Sequence, residues 1–483
     1  MKNNSKSVSG NKIALAAVFT TAGVVYCLIS LVNHYLFKTY ALDLGLYTHF
    51  MYEYAHFRRA DLFMLDMAPQ SALSAHFDLY LIILSPLVYV FGTYTLLIVQ
   101  IAAVLLGGWG IYKLIGLYTD DDWLPILATA TLFFSFGVIH PFAFDYHSNV
   151  LTAMMLPWLL YFIKKQRFWQ SSLMVVLFVL GKENLSLWLF FIAIGLMWDY
   201  RKDRKTLWYL LAYALFGLAY FLIINMIVMP KIGGEGISRY HHLGNNYAEI
   251  ALQLITHPGE ALRLLFANTS GFEHYDGVKE EFFICALATG LLFSILKPNY
   301  FLMLIPLIGQ KMLSSYHLFW GVSLQYSVEF MPVLVVSSYL VIIRLKRQLP
   351  QWILAGALLL STVLTTFYTI GLPKSYILVD HLCVYQGRHY EQKSFDAAYA
   401  RELINQIPDD AYVCAATMFV PHLALREQIE DFAYNPSTEA EYVLVTTREF
   451  DFSGNDTRKF RNIADYETVA TDSTLFLLKR KLP

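Results

Sequence analysis

Charged residues are scarce in this sequence. Asp, Glu, Lys and Arg make up 15% of its 483 residues, whereas about 25% is usual in soluble proteins. The 36 basic and 37 acidic side chains leave no basic field for a nucleic acid. Apolar and aromatic residues reach 57%, which excludes a soluble globular enzyme, a disordered chain and a coiled coil. The composition predicts a polytopic helical membrane protein.

Cysteine and the common enzyme motifs are also lacking. The chain has four cysteines and no Cys-x-x-Cys, so neither a disulfide scaffold nor a zinc ribbon is indicated. It contains no Gly-x-x-x-x-Gly-Lys-Ser/Thr, Gly-x-Gly-x-x-Gly, Gly-x-Ser-x-Gly or His-Glu-x-x-His. Because no nucleotide-binding motif is present, we do not expect this chain alone to drive transport with ATP.

Apolar runs predict that residues 1–372 form a transmembrane helical domain. The first run, Ile13–Leu36, is about 24 residues long and follows three lysines, which indicates a retained span and a cytoplasmic N-terminus. Leu79–Phe91 is only about 13 residues long and contains Pro86, which favours an interfacial or re-entrant segment. The other runs are about Thr95–Leu117, Trp123–His140, Val150–Ile163, Trp169–Leu180, Leu185–Trp198, Leu207–Met229, Glu281–Leu296, Tyr300–Leu313, Ser327–Ile343 and Trp352–Gly371.

Basic clusters predict the orientation of these spans. They lie at residues 164–167, 201–205 and 344–347, and such clusters favour the cytoplasmic side. All three fall inside if Leu79–Phe91 does not cross, which predicts eleven spans and an outer C-terminus. The outer face then receives most of the polar residues, including the loops 38–93 and 230–280. Polar residues gathered on one face of an apolar bundle indicate a site.

The composition changes near Pro373, after which charged residues become frequent. We expect residues 373–483 to form a small extracytoplasmic α/β domain. Its expected helix and three strands are Ser394–Ile407, Tyr412–Ala416, Tyr442–Thr446 and Thr474–Leu478. Cys383 and Cys414 lie in this domain and could form a disulfide.

The loop 230–280 begins with several glycines and then shows amphipathic spacing. Glu249–Ile255 and Ala261–Phe266 carry this spacing, which is typical of helices lying on a membrane surface. The loop is either a lid over a site or a surface segment without a role in one.

Asp43 follows the first span at its outer edge. A carboxylate there could accept a proton from a sugar or lipid hydroxyl, or hold a divalent cation. The alternative is a solvated aspartate that caps the next helix. His76 and Asp78 would share one side of an extended segment, or would act as an interfacial cap.

Two further groups interrupt apolar sequence. Asp145 and His147 lie in a turn between two spans, where they could bind a metal or a phosphate headgroup, shuttle a proton, or simply cap a helix. Lys182-Glu183-Asn184 breaks a nearly continuous apolar stretch. Lys182 could neutralise a lipid-linked phosphate, and Glu183 could pair with it or act as an acid–base group. The alternative is a polar hairpin turn at the interface.

The remaining candidates lie in the outer loops and near the start of a span. His317, Gln325 and Tyr326 offer donors suited to a sugar, although an interfacial belt also accounts for the aromatic residues there. Arg239 could bind phosphate from the loop 230–280. Glu329 falls inside a span and is expected to face the bundle.

The order of these motifs resembles that of a family of multi-spanning membrane proteins known as domain of unknown function 2079. The segments that carry the resemblance are Asp43-Leu44-Gly45-x-Tyr47, His76-Phe77-Asp78 with Pro86 and Gln100, Asp145-Tyr146-His147, Lys182-Glu183, Gln325-Tyr326, Tyr434-Asn435-Pro436 and Glu441-Tyr442-Val443-Leu444-Val445. The sequence departs from the family at Asn184, where an acid is frequent, and at Asp78-Leu79, where proline is frequent.

The layout of that family is similar to the C superfamily of membrane glycosyltransferases (GT-C). The resemblance implies a bacterial inner-membrane protein whose partners are membrane lipids and a polyprenyl-phosphate-linked sugar donor. It implies that Asp43 is the base or a metal-associated carboxylate, and that Lys182 and Arg239 face the donor phosphate. No cofactor is identified, but a divalent cation could be held by Asp43, Asp145 or His147.

Three functions are compatible with these observations. A glycosyltransferase at the outer face needs a base near the acceptor hydroxyl and a cation near the departing phosphate. A transporter or lipid flippase would need polar residues at mid-membrane and broken helices in paired positions. A non-enzymatic envelope assembly protein would use the outer domain to bind a partner.

Overall fold

The computed structural model describes residues 2–65, 70–371, 373–374, 378–434, 439–449 and 463–481. The fold is mostly helical and contains a small sheet. Packing divides the chain into two compact units. The first consists of Met1–Tyr26 and Gln100–Leu382, and the second of Cys27–Val99 and Cys383–Pro483. The boundary expected between residues 372 and 373 follows composition and membrane position rather than packing, and stays a prediction.

The predicted apolar runs all lie largely within helices. Among the described residues the α-helices are α1 (Lys2–Tyr35), α2 (Leu46–Ala55), α3 (Tyr80–Leu84), α4 (Val88–Phe91), α5 (Thr95–Ile115), α6 (Trp123–Phe133), α7 (Phe136–Ile139), α8 (Ser148–Lys164), α9 (Phe168–Val179), α10 (Leu185–Asp199), α11 (Arg204–Ile223), α12 (Met229–Lys231), α13 (Tyr247–Thr256), α14 (Pro258–Leu264), α15 (Val278–Ala286), α16 (Leu292–Ile295), α17 (Pro298–Met312), α18 (Phe330–Ile342), α19 (Gln348–Gly371), α20 (Val379–Leu382), α21 (Ala397–Asn405) and α22 (Val420–Leu423).

The predicted count of eleven spans is not confirmed. Within the described ranges, four helical segments are long and apolar enough to cross a membrane, and the pair α6 and α7, bent by 56°, makes a fifth if it is one span. The four are Gly10–Tyr35, Tyr80–Ile115, Arg204–Lys231 and Gln348–Gly371. Other apolar helices are shorter, such as α9 with 12 residues and α18 with 13. A straight crossing takes about 20 residues.

The segment Leu79–Phe91, expected to be interfacial or re-entrant, does not form a separate span. It contains α3 and α4 and continues into α5 through a break at Gly92. The φ angle of Gly92 is +56°, a left-handed conformation that glycine adopts without a steric penalty.

Close helix packing in the first unit fixes the hairpin between α9 and α10. A Cβ atom on Gly217 of α11 would lie 2.8 Å from the carbonyl oxygen of Ser186 in α10. Gly195 of α10 similarly lies against the backbone of Asn299 in α17. A larger side chain at either position would push these backbones apart. The two glycines therefore allow α10 to pack closely between α11 and α17. The turn that carries Lys182 and Glu183 is therefore rigidly placed within this unit.

The second unit contains a five-stranded sheet in the order β2-β1-β3-β5-β4. Its strands are β1 (Val413–Ala415), β2 (Ile429–Asp431), β3 (Tyr442–Thr446), β4 (Tyr466–Thr471) and β5 (Leu475–Arg480). β1 pairs in parallel with β2 and β3, whereas β5 pairs antiparallel with β3 and β4. One face buries Cys414, Val443 and Leu478 in an apolar core.

The expected helix and three strands of this domain are confirmed as α21, β1, β3 and β5, while β2 and β4 were not predicted. Asn435 and Pro436, which belong to a family segment, lie outside the described residues. The four cysteines are all reduced, so the disulfide considered between Cys383 and Cys414 is not formed.

Candidate functional site

A buried polar cluster in the first unit is built around Glu329, which immediately precedes α18. Its Oε1 accepts a hydrogen bond of 2.8 Å from Nδ2 of Asn149, the second residue of α8. The same Nδ2 donates to the carbonyl oxygen of Gln325 at 3.2 Å. Glu329 is 8% exposed, and the positive charges of Lys182 and Lys311 act on its carboxylate. The expectation that Glu329 faces the bundle is confirmed.

Lys311 organises the loop that leads into this cluster. Its Nζ donates to the carbonyl oxygens of Phe319 and Gly321, both at 2.6 Å, and to Ser327 Oγ at 3.2 Å. The side chain is 3% exposed, so these bonds replace the water that the ammonium loses on burial. Sequence reasoning missed Lys311, although a single lysine inside the apolar run Tyr300–Leu313 was a usable signal.

The Lys182–Asn184 turn is nearly buried. Lys182 and Glu183 are 9% and 8% exposed. Asn225, in a π-helical turn at Ile224–Val228, donates from Nδ2 to the carbonyl oxygen of Glu183 at 3.5 Å. This burial argues against a solvated hairpin, because burying two ionisable residues is costly without compensating interactions. The turn and the Glu329 cluster belong to one unit and act on each other through the charge of Lys182.

The loop 230–280 is anchored to this unit by several hydrogen bonds, two of which come from tyrosine hydroxyls. The Tyr247 hydroxyl, at the start of α13, donates to Asn225 Oδ1 at 3.0 Å. Farther along the first unit, the Tyr240 hydroxyl donates to the Gln310 carbonyl oxygen at 2.7 Å. No residue of α13 is buried, whereas Leu252 and Ile255 are well exposed, as expected for a helix on a membrane surface. The loop therefore touches the Lys182–Asn184 turn through Asn225.

Arg239 and His317 lie in an aromatic cluster within the same unit. The Arg239 guanidinium lies over the rings of Tyr316 and Phe319, at 4.7 and 4.4 Å from their centroids. His317 stacks on Tyr275 with a centroid distance of 4.0 Å. Cation–π contacts of this kind hold the guanidinium of Arg239 over the two rings. Gln325 is 3% exposed, next to this cluster in sequence.

Asp145 and His147 occupy a tight turn fixed by Gln100. Nε2 of Gln100 donates to the Asp145 carbonyl oxygen, and the His147 N–H donates to Gln100 Oε1, both at 2.9 Å. Asp145 has a φ of +58°, and the His147 ring stacks on Phe144. The turn before α8 is thus specified by one side chain from α5, which explains why Gln100 accompanies these residues in the family pattern.

In the second unit, Asp43 lies in a turn with unusual backbone angles. Its φ and ψ are +69° and −87°, close to a rare and strained γ-turn. The Ala41 N–H donates to Thr417 Oγ1 at 3.2 Å, and Gly45 packs against Val420 of α22. The C-terminal domain therefore supports the loop that carries Asp43, a relation that the sequence pattern did not reveal.

His76 and Asp78 lie just before α3 in the second unit. Oδ1 of Asp78 accepts a 3.0 Å hydrogen bond from the Tyr80 N–H, and Asp78 is 3% exposed. One carboxylate oxygen thus accepts from the N–H of the first residue of α3, which is compatible with the capping role considered from the sequence. The described residues include no group of three or more His, Cys, Asp or Glu side chains placed to hold a metal ion.

The fold is that of an integral membrane protein whose layout is similar to solved membrane proteins. Two solved structures of ArnT from Cupriavidus metallidurans are similar over nearly the whole chain, each at 10% identity. The structure bound to undecaprenyl phosphate has a TM-score of 0.52 and covers 97% of this chain and 98% of its own. The apo structure has a TM-score of 0.50 and covers 98% of both chains. The expected GT-C resemblance is confirmed at the level of the fold.

The chain belongs to the family of predicted membrane proteins called DUF2079, whose model matches residues 33–477. The family resemblance inferred from the motifs is therefore confirmed. A search of curated proteins finds no match.

Proposed function

We propose that this protein is an integral-membrane glycosyltransferase that moves a sugar from a polyprenyl-phosphate donor to an acceptor at the outer face of the cytoplasmic membrane. The buried cluster of Lys182, Glu183, Asn149 and Glu329 carries the proposal. The Lys182 ammonium is buried in a largely apolar unit, where its charge acts on the Glu329 carboxylate, and such a cation is suited to a lipid-linked phosphate. The likeness in fold to ArnT, which has been solved with undecaprenyl phosphate, supports this choice of donor.

The proposed reaction assigns separate roles to the candidate residues. Asp43 accepts the proton of the acceptor hydroxyl, whose oxygen forms the new bond to the anomeric carbon. The bond between that carbon and the phosphate oxygen breaks, and polyprenyl phosphate leaves. Lys182, assisted by Arg239, stabilises the charge that develops on the departing phosphate.

The other candidates would bind substrate. His317, Gln325 and Tyr326 offer hydrogen bonds to sugar hydroxyls, and Glu183 serves as a second acid–base group. His76, Asp78, Asp145 and His147 are assigned to substrate binding. The strained angles of Asp43 and Asp145 support these roles, because such conformations cost about 1–3 kcal/mol and concentrate at functional sites.

Transfer assays in proteoliposomes test the proposal. Wild-type protein should consume one donor from a panel of radiolabelled polyprenyl-phosphate sugars supplied with membrane lipid extract. Asp43→Asn should lower the rate by about 100-fold or more, since general-base catalysis contributes that much. Asp396→Asn is the matched control, because Asp396 is an exposed cap of α21 and asparagine caps equally well. A folded wild type that consumes no donor would count against a glycosyltransferase.

A transporter or lipid flippase is the second candidate, and broken helices favour it. The α6–α7 pair bends by 56°, and the chain between α15 and α16 is interrupted at Gly290, whose φ is +121°. Discontinuous helices are typical of transporter binding sites. Uptake of a labelled solute into vesicles that is unaffected by Asp43→Asn would support this alternative.

A further inference from the structure

A lateral groove lies between α15 and α19 in the first unit. Its volume is about 400 Å³, and Ile284, Ala288 and Leu364 form its apolar part. Ile284 and Leu364 are 65% and 59% exposed, so the groove opens to the outside of the helices. Because α19 is long and apolar enough to cross a membrane, that outside is hydrocarbon, and a lipid chain is the ligand that matches it.

The opposite end of the groove is polar. Oε1 of Glu281 accepts hydrogen bonds from the Tyr368 hydroxyl at 3.0 Å and from the Lys374 N–H at 2.8 Å. Glu280 is exposed beside it, and Nζ of Lys374 lies next to Gly277, where a side chain would collide with it. This end therefore presents two carboxylates and one ammonium.

Glu281 also carries an unsatisfied acceptor. The residue is 4% exposed and forms part of the groove wall. Its Oε2 has no hydrogen-bond partner in the part of the chain that the structure describes. A buried carboxylate oxygen without a donor costs free energy, which a donor brought by a ligand would recover.

We propose that this groove binds a phospholipid with a primary-amine headgroup, such as phosphatidylethanolamine. The ammonium donates to Glu281 and Glu280, the phosphate pairs with Lys374, and an acyl chain packs on Ile284 and Leu364. A choline headgroup cannot donate, and a glycerol headgroup has no positive charge. A polyprenyl phosphate would bring only an anionic headgroup to a site with two carboxylates.

Native mass spectrometry of the full-length protein in detergent tests this site. The protein is titrated separately with dioleoyl phosphatidylethanolamine, phosphatidylcholine, phosphatidylglycerol and undecaprenyl phosphate. We expect phosphatidylethanolamine to bind about tenfold more tightly than each of the others, since a hydrogen bond to a charged group contributes roughly this factor. Equal binding of the ethanolamine and choline lipids, or tighter binding of undecaprenyl phosphate, would overturn the proposal.

The substitution Glu281→Gln removes the negative charge of this side chain and keeps its size and shape. Its Oε1 can still accept from Tyr368 and Lys374, while an amide nitrogen replaces the unsatisfied oxygen. This variant should bind all four lipids within about twofold of one another. Glu273→Gln, an exposed change outside the groove, should keep the preference. A preference retained by Glu281→Gln would contradict the assignment.

Leu364→Trp tests the apolar part independently. Leu364 is exposed, so the larger ring fills the groove without disturbing a core, and thermal unfolding followed by tryptophan fluorescence checks the fold. Binding of phosphatidylethanolamine should fall about tenfold, as expected when an acyl chain loses its contact surface. Unchanged binding would place the lipid elsewhere.

Discussion

At the scale of residues, burial separates the ionisable groups that need partners within the fold from those that water solvates. The sequence singled out Lys182 and Glu183 because they interrupt an apolar stretch, and both are buried. Lys311 was not among the predicted residues, although it also interrupts an apolar run. Only the folded chain shows that the Lys311 ammonium donates to several carbonyl oxygens.

Asp431, at the end of β2, is expected to make stability depend on pH. Burial raises the pKa of its carboxyl to about 6, against the effect of hydrogen bonds from Ala433 and Thr417. Because the folded pKa exceeds the ordinary 3.8, ionisation destabilises the folded state at pH values above 6. Two pKa units correspond to about 3 kcal/mol.

Asp431→Asn removes that charge and keeps an acceptor for both hydrogen bonds. We expect its Tm in detergent to exceed that of the wild type at pH 8, and the difference to shrink as the pH falls through 6 towards 4. Thermal unfolding across this range measures the effect. An equal gain at pH 4 and pH 8 would show that the charge is not its cause.

At the scale of elements, the loop carrying Asp43 is held by α22. A Cβ atom on Gly45 would lie 3.0 Å from Val420 Cγ1 and 3.4 Å from the Pro421 nitrogen. Gly45→Ala should therefore lower the stability by about 1–3 kcal/mol through overpacking. Combining it with Val420→Ala should recover part of the loss, which thermal unfolding of the single and double variants measures. A double variant that is merely additive would argue against a direct contact.

The hydrogen bond between α13 and the π-helical turn at Ile224–Val228 is a second contact whose strength can be measured. α13 has no buried residue and packs through the half-buried Ile250 and Leu254, so the hydrogen bond from Tyr247 to Asn225 should add to its order. Tyr247→Phe should speed hydrogen exchange of the α13 amides about fivefold, because such a bond contributes roughly 1 kcal/mol. Tyr209→Phe, on the surface of α11, should leave this exchange unchanged. Equal exchange rates in the wild type and Tyr247→Phe would show that this hydrogen bond does not stabilise α13.

At the scale of the whole molecule, the predicted orientation is open to a direct test. In a variant with Ser at all four cysteine positions, Ser473→Cys and Lys202→Cys introduce single thiols. An impermeant maleimide added to intact cells should label the first and spare the second, since the positive-inside rule predicts an outer C-terminus. The reverse pattern would invert the proposed topology and move the C-terminal domain to the cytoplasm.

The membrane class, the helical runs and part of the sheet could be predicted because apolar length and alternation are local properties of the chain. β2 and β4 could not, because two of the three residues of β2 are the acidic Glu430 and Asp431 and β4 is mostly exposed, so neither shows the apolar pattern of a strand. The eleven-span count relied on apolar runs close to the minimum length, and folding turns some of these into short or bent helices.

The sequence by itself determined that the protein lies in a membrane, because it has few charged residues and many long apolar runs, which a lipid bilayer can bury. It also determined the candidate residues, since polar side chains within apolar sequence require a reason. The tertiary structure alone decided their partners: Asn149 with Glu329, Gln100 with the Asp145 turn, and Thr417 with the Asp43 loop. These pairs join residues far apart in the chain, and only long-range packing brings such residues together.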